Sequence, residues 1–166
     1  MFYQAQIISA LPIRQAKARL RQIEAGYDNM SPENKEEFDA AAERYLDRDF
    51  PDTVVVQVLY GSNTHFDARD MAQHWQNQTV ETLQNFVFLI GGKGKKVPLL
   101  QFATAEGRQM FQMVFSRLPE GQPLVGPKDK SLKLEFPHPK IGDQREERVL
   151  LEFKTKKMRV GGEVVF

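Results

Sequence analysis

His65, Asp67, Asp70 and His74 are the residues whose types and spacing best fit metal chemistry. Two residues four apart share one face of a helix, so Asp70 and His74 would point the same way. His65 and Asp67 can reach in from the preceding loop, completing a mixed nitrogen and oxygen ligand set. Other roles compete for each residue. Asp67 stands where a helix cap belongs, Asp70 follows Arg69, and His74 adjoins Trp75 as a residue that covers core would. Ser62, His65 and Asp67 supply the types of a nucleophilic triad, but no Gly-x-Ser-x-Gly elbow accompanies them. A polar loop explains them better.

Gly91-Gly92-Lys93-Gly94-Lys95-Lys96 invites a phosphate-loop reading. A Walker loop needs Gly-Lys followed by Ser or Thr at the start of a helix. Here Lys96 comes next and then a strand pattern, so a solvated hairpin turn is expected. Lys154, Lys156, Lys157 and Arg159 form a basic cluster near the C-terminus, beside Phe153. Such a cluster can hold an acidic polymer. Charges of this kind also keep edge strands from pairing with one another. With a net charge of +1, no nucleic-acid partner is expected. Two acids working as a glycosidase pair would need a separation that spacing along a chain does not supply.

The elements that would carry these residues can be read from the patterning. The chain has 166 residues, 41% of them hydrophobic and 27% charged, enough to bury one core without staples. It has no cysteine, which excludes disulfides, thiol catalysis and thiolate metal sites. No apolar run reaches the roughly 18 residues of a membrane span. Met1 to Leu11 lacks the basic and long apolar regions of a signal peptide. Charge is segregated: Arg14, Lys17, Arg19 and Arg21 come without an acid, and ten acids face three bases from Glu24 to Asp52.

Ile13, Ala16, Leu20 and Ile23 make one apolar stripe, with Gly26 at a left-handed cap. Ser31, Pro32 and the acids behind them open a second helix with the stripe Phe38, Ala41, Ala42, Tyr45 and Leu46. Residues 1–50 are thus expected to form an N-terminal helical hairpin that packs on a sandwich made by the rest of the chain. From Thr53 the pattern turns to strands, with one inserted helix at about 67–80 capped by Asp67. Runs at 53–60, 86–90, 97–102, 109–117, 131–136 and 149–154 are succeeded by a bulge or turn near Lys156 and a last turn at Gly161-Gly162. Residues 51–166 are therefore expected to be an antiparallel, immunoglobulin-like β-sandwich.

Several strings resemble a group of uncharacterised bacterial proteins. They are Tyr45-Leu46-Asp47-Arg48-Asp49-Phe50 running into the Val-rich strand, Trp75-Gln76 with Thr79 to Leu83, Gly121-Gln122-Pro123-Leu124 leading to Lys130, and Phe153-Lys154 with Lys157-Met158. The likeness covers roughly Glu43 to Phe166. It implies a β-sandwich of the exported class, so periplasmic or secreted where a leader precedes the domain and cytoplasmic otherwise. It carries no catalytic residue.

The resulting expectation is a noncatalytic accessory or protein-interaction module of the cell envelope, needing no cofactor. Its partner would be an unidentified protein or a second copy, docked through the helical pair. The alternative is a metal- or small-ligand-binding domain built on His65, Asp67, Asp70 and His74.

Overall fold

The computed structural model of the protein describes residues 1–47, 50, 52–105, 107–141, 147–160 and 163–164. Gly161 and Gly162, where the sequence pattern puts a last turn, lie outside them, as do Arg48 and Asp49 of the resemblance. The protein is a mixed helix and antiparallel-sheet structure. The chain starts with a strand, β1 (Phe2–Ile7), in which Tyr3, Ala5 and Ile7 turn inward while Phe2 and Gln4 stay exposed. Next come two helices, α1 (Leu11–Glu24) and α2 (Pro32–Leu46). They are inserted between β1 and β2 (Thr53–Gly61), and so do not precede the sheet as expected. Alternation over six residues, with Gln at 4 and 6, was the signal for that first strand.

After β2 come α3 (His65–Gln76) and the single turn α4 (Val80–Leu83). Then β3 (Phe88–Ile90), β4 (Lys96–Thr104), β5 (Met110–Ser116), β6 (Ser131–Pro137) and β7 (Arg148–Lys154) complete a seven-stranded sheet of order β1-β2-β5-β4-β3-β6-β7. A short pair, β8 (Arg159–Val160) and β9 (Glu163–Val164), closes the described chain. The inserted helix starts at His65 because Thr64 is its cap: the Thr64 hydroxyl accepts the Asp67 N–H at 3.3 Å. Asp67, expected as the cap, is the third residue of the helix.

Two separate immunoglobulin-like sheets do not describe these ladders. Lys96 to Pro98 of β4 pair with β3, and Leu99 to Thr104 pair with β5. The register shifts between Leu99 and Gln101. A bulge there bends the strand and carries one continuous sheet round a corner. The seven strands curl into a nearly closed barrel. Its two edges, β1 and β7, face each other across a gap lined by Ala5, Ile7, Phe153 and Lys154, with Ile13 of α1 over it. At one end of the gap the Tyr3 hydroxyl and His138 Nδ1 are hydrogen-bonded at 2.8 Å.

The core fills the barrel from both sides of that corner: Val54, Val56 and Val58 from β2, Phe111, Met113 and Phe115 from β5, Leu132, Leu134 and Phe136 from β6, all fully buried. Alternation in these strands is what places them there. α3 closes one end, inserting Met71 and Trp75, which are both 0% exposed. The Trp75 ring lies 4.3 Å from Phe111 and 5.8 Å from Phe136, centroid to centroid.

α1 and α2 pack mainly on each other. Their contact is made by the basic side of α1. Arg14 donates to the Leu46 carbonyl at 2.6 Å and lies over the Phe50 ring, and Arg21 lies over Tyr45. Of the expected apolar stripe of α1, Ile13 packs on the barrel and the rest is turned away from α2. Leu20 is 53% and Ile23 64% exposed. Long basic side chains lay their methylenes on the aromatic rings and keep their charges at the rim, so a basic face can be the packing face.

A basic cleft as the candidate functional site

The cleft starts from the Pro/Gly-rich loop ahead of β6. The Gly126 N–H donates to the Asp129 carboxylate at 2.7 Å, and the Asp129 N–H returns to the Gly126 carbonyl at 3.2 Å. This reciprocal turn is tied down by the 3-10 turn Thr155–Met158. The Thr155 hydroxyl donates to the Asp129 carbonyl at 2.5 Å and its N–H to the Lys130 carbonyl at 3.0 Å. Arg159 adds bonds to the carbonyls of Gly126 and Asp129, at 3.0 and 3.2 Å. Thr155 is 1% exposed, so this junction is built into the molecule.

The turn holds Lys128 and Lys130 opposite Lys154 and Lys156, with Arg159 at the base, around a cleft of about 530 Å³. A second cleft of about 240 Å³ adjoins it, shares Asp129, Lys130 and Ser131, and adds Lys93 and Lys133. Its far wall is the loop from Gly91 to Gly94. Lys93 there has φ 56°, a left-handed conformation that costs a non-glycine residue of order 1 kcal/mol. Among the described residues the side chains of these six lysines make no hydrogen bond or ion pair. The acids facing them are Glu152, which is the register neighbour of Lys133, and Asp129, whose carboxylate is engaged within its own turn.

Further along this face of the sheet, an acid does pair its neighbouring cations. Glu135 on β6 is 8% exposed and accepts from Lys96 at 2.8 Å and from Arg148 across β7. The Lys96 bond, and then Arg148, hold its carboxyl below the usual range. A depressed folded-state pKa stabilises the fold at pH values above the ordinary glutamate range, and that stability is lost as pH falls through the folded value. Glu135→Gln is therefore expected to cost about 1–2 kcal/mol near neutral pH, the exposed ends of both cations keeping the figure modest. Urea unfolding at pH 7 and in acid checks it, because the gap between wild type and variant should narrow below about pH 4.

The metal candidates do not converge. Asp67 accepts from Ser62 Oγ at 3.4 Å, Asp70 lies 3.7 Å from Arg69 on the surface, and His74 stands edge-on to Trp75 at 5.1 Å. Burial, and then His138 nearby, lower the pKa of His74. Among the described residues no three His, Cys, Asp or Glu are placed to hold a metal ion. The reason is the early helix start. His65 occupies the first turn of α3 and no longer folds back from a loop. Of the basic cluster, Lys154, Lys156 and Arg159 meet in the large cleft, while Lys157 lines the β1–β7 gap instead. Lys93, Lys128, Lys130 and Lys133 were not legible as members, since each arrives from another segment. The Gly-Pro-Lys-Asp-Lys string at 126–130 was the available signal, as a tight turn flanked by two cations.

No protein-family model matches the chain, and no curated protein or solved structure matches it. Among the described residues no helix is long and apolar enough to cross a membrane.

Proposed function

We propose that the protein is a noncatalytic interaction module that holds an acidic segment of a partner protein in the basic cleft. The observation that carries this reading is the gathering of six lysines, none of them ion-paired among the described residues, together with Arg159 around two joined clefts in a chain whose net charge is only +1. Concentrating cations in one place costs mutual repulsion, and a bound acidic ligand relieves it. Among the described residues no aromatic ring lines the clefts. Single-stranded nucleic acid draws much of its affinity from stacking on such rings, so an acidic peptide fits better. A place in the cell envelope belongs to the same proposal, on the strength of the resemblance to exported bacterial proteins.

Fluorescence anisotropy with a labelled oligo-glutamate peptide tests it. Binding is expected at low ionic strength, weakening as salt screens exposed charges. Lys130→Glu combined with Lys154→Glu should reduce affinity roughly tenfold, since each exposed pairing contributes about 0.2–1 kcal/mol and reversal adds repulsion. Absence of binding at low salt, or binding indifferent to the double reversal, rules the reading out. Stronger binding of single-stranded DNA than of the peptide would replace the acidic protein segment by a nucleic acid.

A further inference from the structure

The helical pair is incompletely packed as it stands. α2 runs for 15 residues and buries none of them. Isolated helices of that length are marginal in water, and most helices are held by a packed apolar face. α1 meanwhile presents Ala16, Leu20 and Ile23 to solvent, with Ile13 half-buried at the barrel end of the same line. The spacing 13, 16, 20, 23 is that of alternating a and d positions of a coiled-coil seam. Such a seam is self-complementary. A two-fold axis can bring two copies of it together, as in the commonest class of oligomer.

Charge selects the orientation. Lys17 is half-buried, and burial, and then Arg21, lower its pKa. It has no ion pair among the described residues, and neither has Glu24, seven residues on. Both occupy e positions of the seam. In an antiparallel pair, helical side chains lean toward their own N-termini and so toward each other. That places Lys17 of one copy beside Glu24 of the other, twice per dimer. The barrel sits at the Ile13 end of α1, so an antiparallel arrangement also keeps the two barrels at opposite ends. The exposed face runs on past Ile23 into a cleft of about 210 Å³ at Gly26 to Asn29, where the start of the partner helix can seat.

We propose that a second copy of this chain covers this face, with the two α1 helices antiparallel about a two-fold axis and Leu20 of each against Ala16 of the other. The two helical pairs then form a four-helix bundle, a packing suited to helices joined by short connections.

Sedimentation equilibrium over a roughly hundredfold range of protein concentration reads the association directly. The wild type is expected to pass from monomer to dimer across that range. Leu20→Glu with Ile23→Glu should remain monomeric while keeping the wild-type far-UV circular dichroism, because both side chains already face solvent. Lys17→Glu should weaken the dimer roughly tenfold, by setting Glu against Glu24 of the partner. Lys17→Glu combined with Glu24→Lys restores the attraction and should restore the dimer. A wild type that is monomeric throughout overturns the proposal. So does a dimer untouched by the double glutamate variant, or a charge swap that fails to rescue.

Discussion

Trp75→Ala is expected to be the most damaging single substitution in the barrel, costing about 3–5 kcal/mol in urea unfolding. That is a large share of the roughly 5–15 kcal/mol by which domains of this kind are ordinarily stable. The ring is fully buried where α3 plugs the barrel, against Phe111, Phe136 and, at 6.3 Å, Phe102. Strands β4, β5 and β6 all lean on it, so truncation leaves a cavity at the meeting point of three ladders. Trp75→Phe is expected to be far milder, about 1–2 kcal/mol. The phenyl ring keeps most of the packing, and the buried indole N–H that is lost makes no regular hydrogen bond, the Tyr3 hydroxyl being its neighbour, so little is forfeited with it. Trp75 is the only tryptophan, so its emission reports the same site. A shielded, blue-shifted wild-type spectrum should accompany the stability result. A loss below about 1 kcal/mol for Trp75→Ala would mean that α3 does not close the barrel.

Trp75 also shows why some parts of this fold were legible and others were not. Its helix is readable from Met71, Ala72 and Trp75, β6 from strict alternation of Leu and Phe with polar residues, and β5 from Phe111, Met113 and Phe115 sharing one face. Period alone places such side chains inward, and it does so correctly wherever one face of an element meets the core. The same logic fails on α1. Its apolar stripe reads as the buried face, yet Arg14 is 5% exposed and Leu20 is 53%. The spacing shows that a helix has two faces, not which of them meets a neighbour. Here the neighbour is an acidic helix carrying Phe38 and Tyr45, and arginine stems with charged ends match it well. The closure of the sheet was hidden for a different reason. A strand that serves two ladders looks like any other strand in sequence, and only the bulge at Leu99 to Gln101 marks the corner.

The cleft was half visible. Lys154, Lys156 and Arg159 are recognisable as a cluster because they are neighbours in the chain. Their counterparts are not, because Lys128 and Lys130 come in on a turn closed by Asp129, and Lys93 on a hairpin loop. Sequence proximity finds a cation stripe, whereas a cleft needs two walls from distant segments. The glycines between β3 and β4 are what allow those walls to approach, a role that does not depend on their being a phosphate loop.

Gly91→Ala is the second large effect, an expected loss of about 2–3 kcal/mol from overpacking. Backbone freedom is not the cause, since φ −88° and ψ −160° are open to any residue. Room is. A methyl group at Gly91 would land on the carbonyl oxygen and side chain of Leu124. Leu124 is 3% exposed, its N–H donates to the Arg117 carbonyl at 3.0 Å and its own carbonyl accepts from the Gly92 N–H at 3.3 Å, so it has nowhere to retreat. For a chain of this length the melting temperature should fall by about 5–10 °C. Gly92→Ala meets something softer, the Asp129 carboxylate. Pushing that carboxylate away breaks its bond to the Gly126 N–H and loosens the turn that carries Lys128 and Lys130. The two glycines should therefore separate the fold from the site. Gly91→Ala is expected to lower the melting temperature more than Gly92→Ala does. Gly92→Ala should lower affinity for the acidic peptide more than Gly91→Ala, measured well below both transitions. If both variants change stability and binding in the same proportion, the cleft has no wall of its own and its lysines are only the charged surface of the barrel.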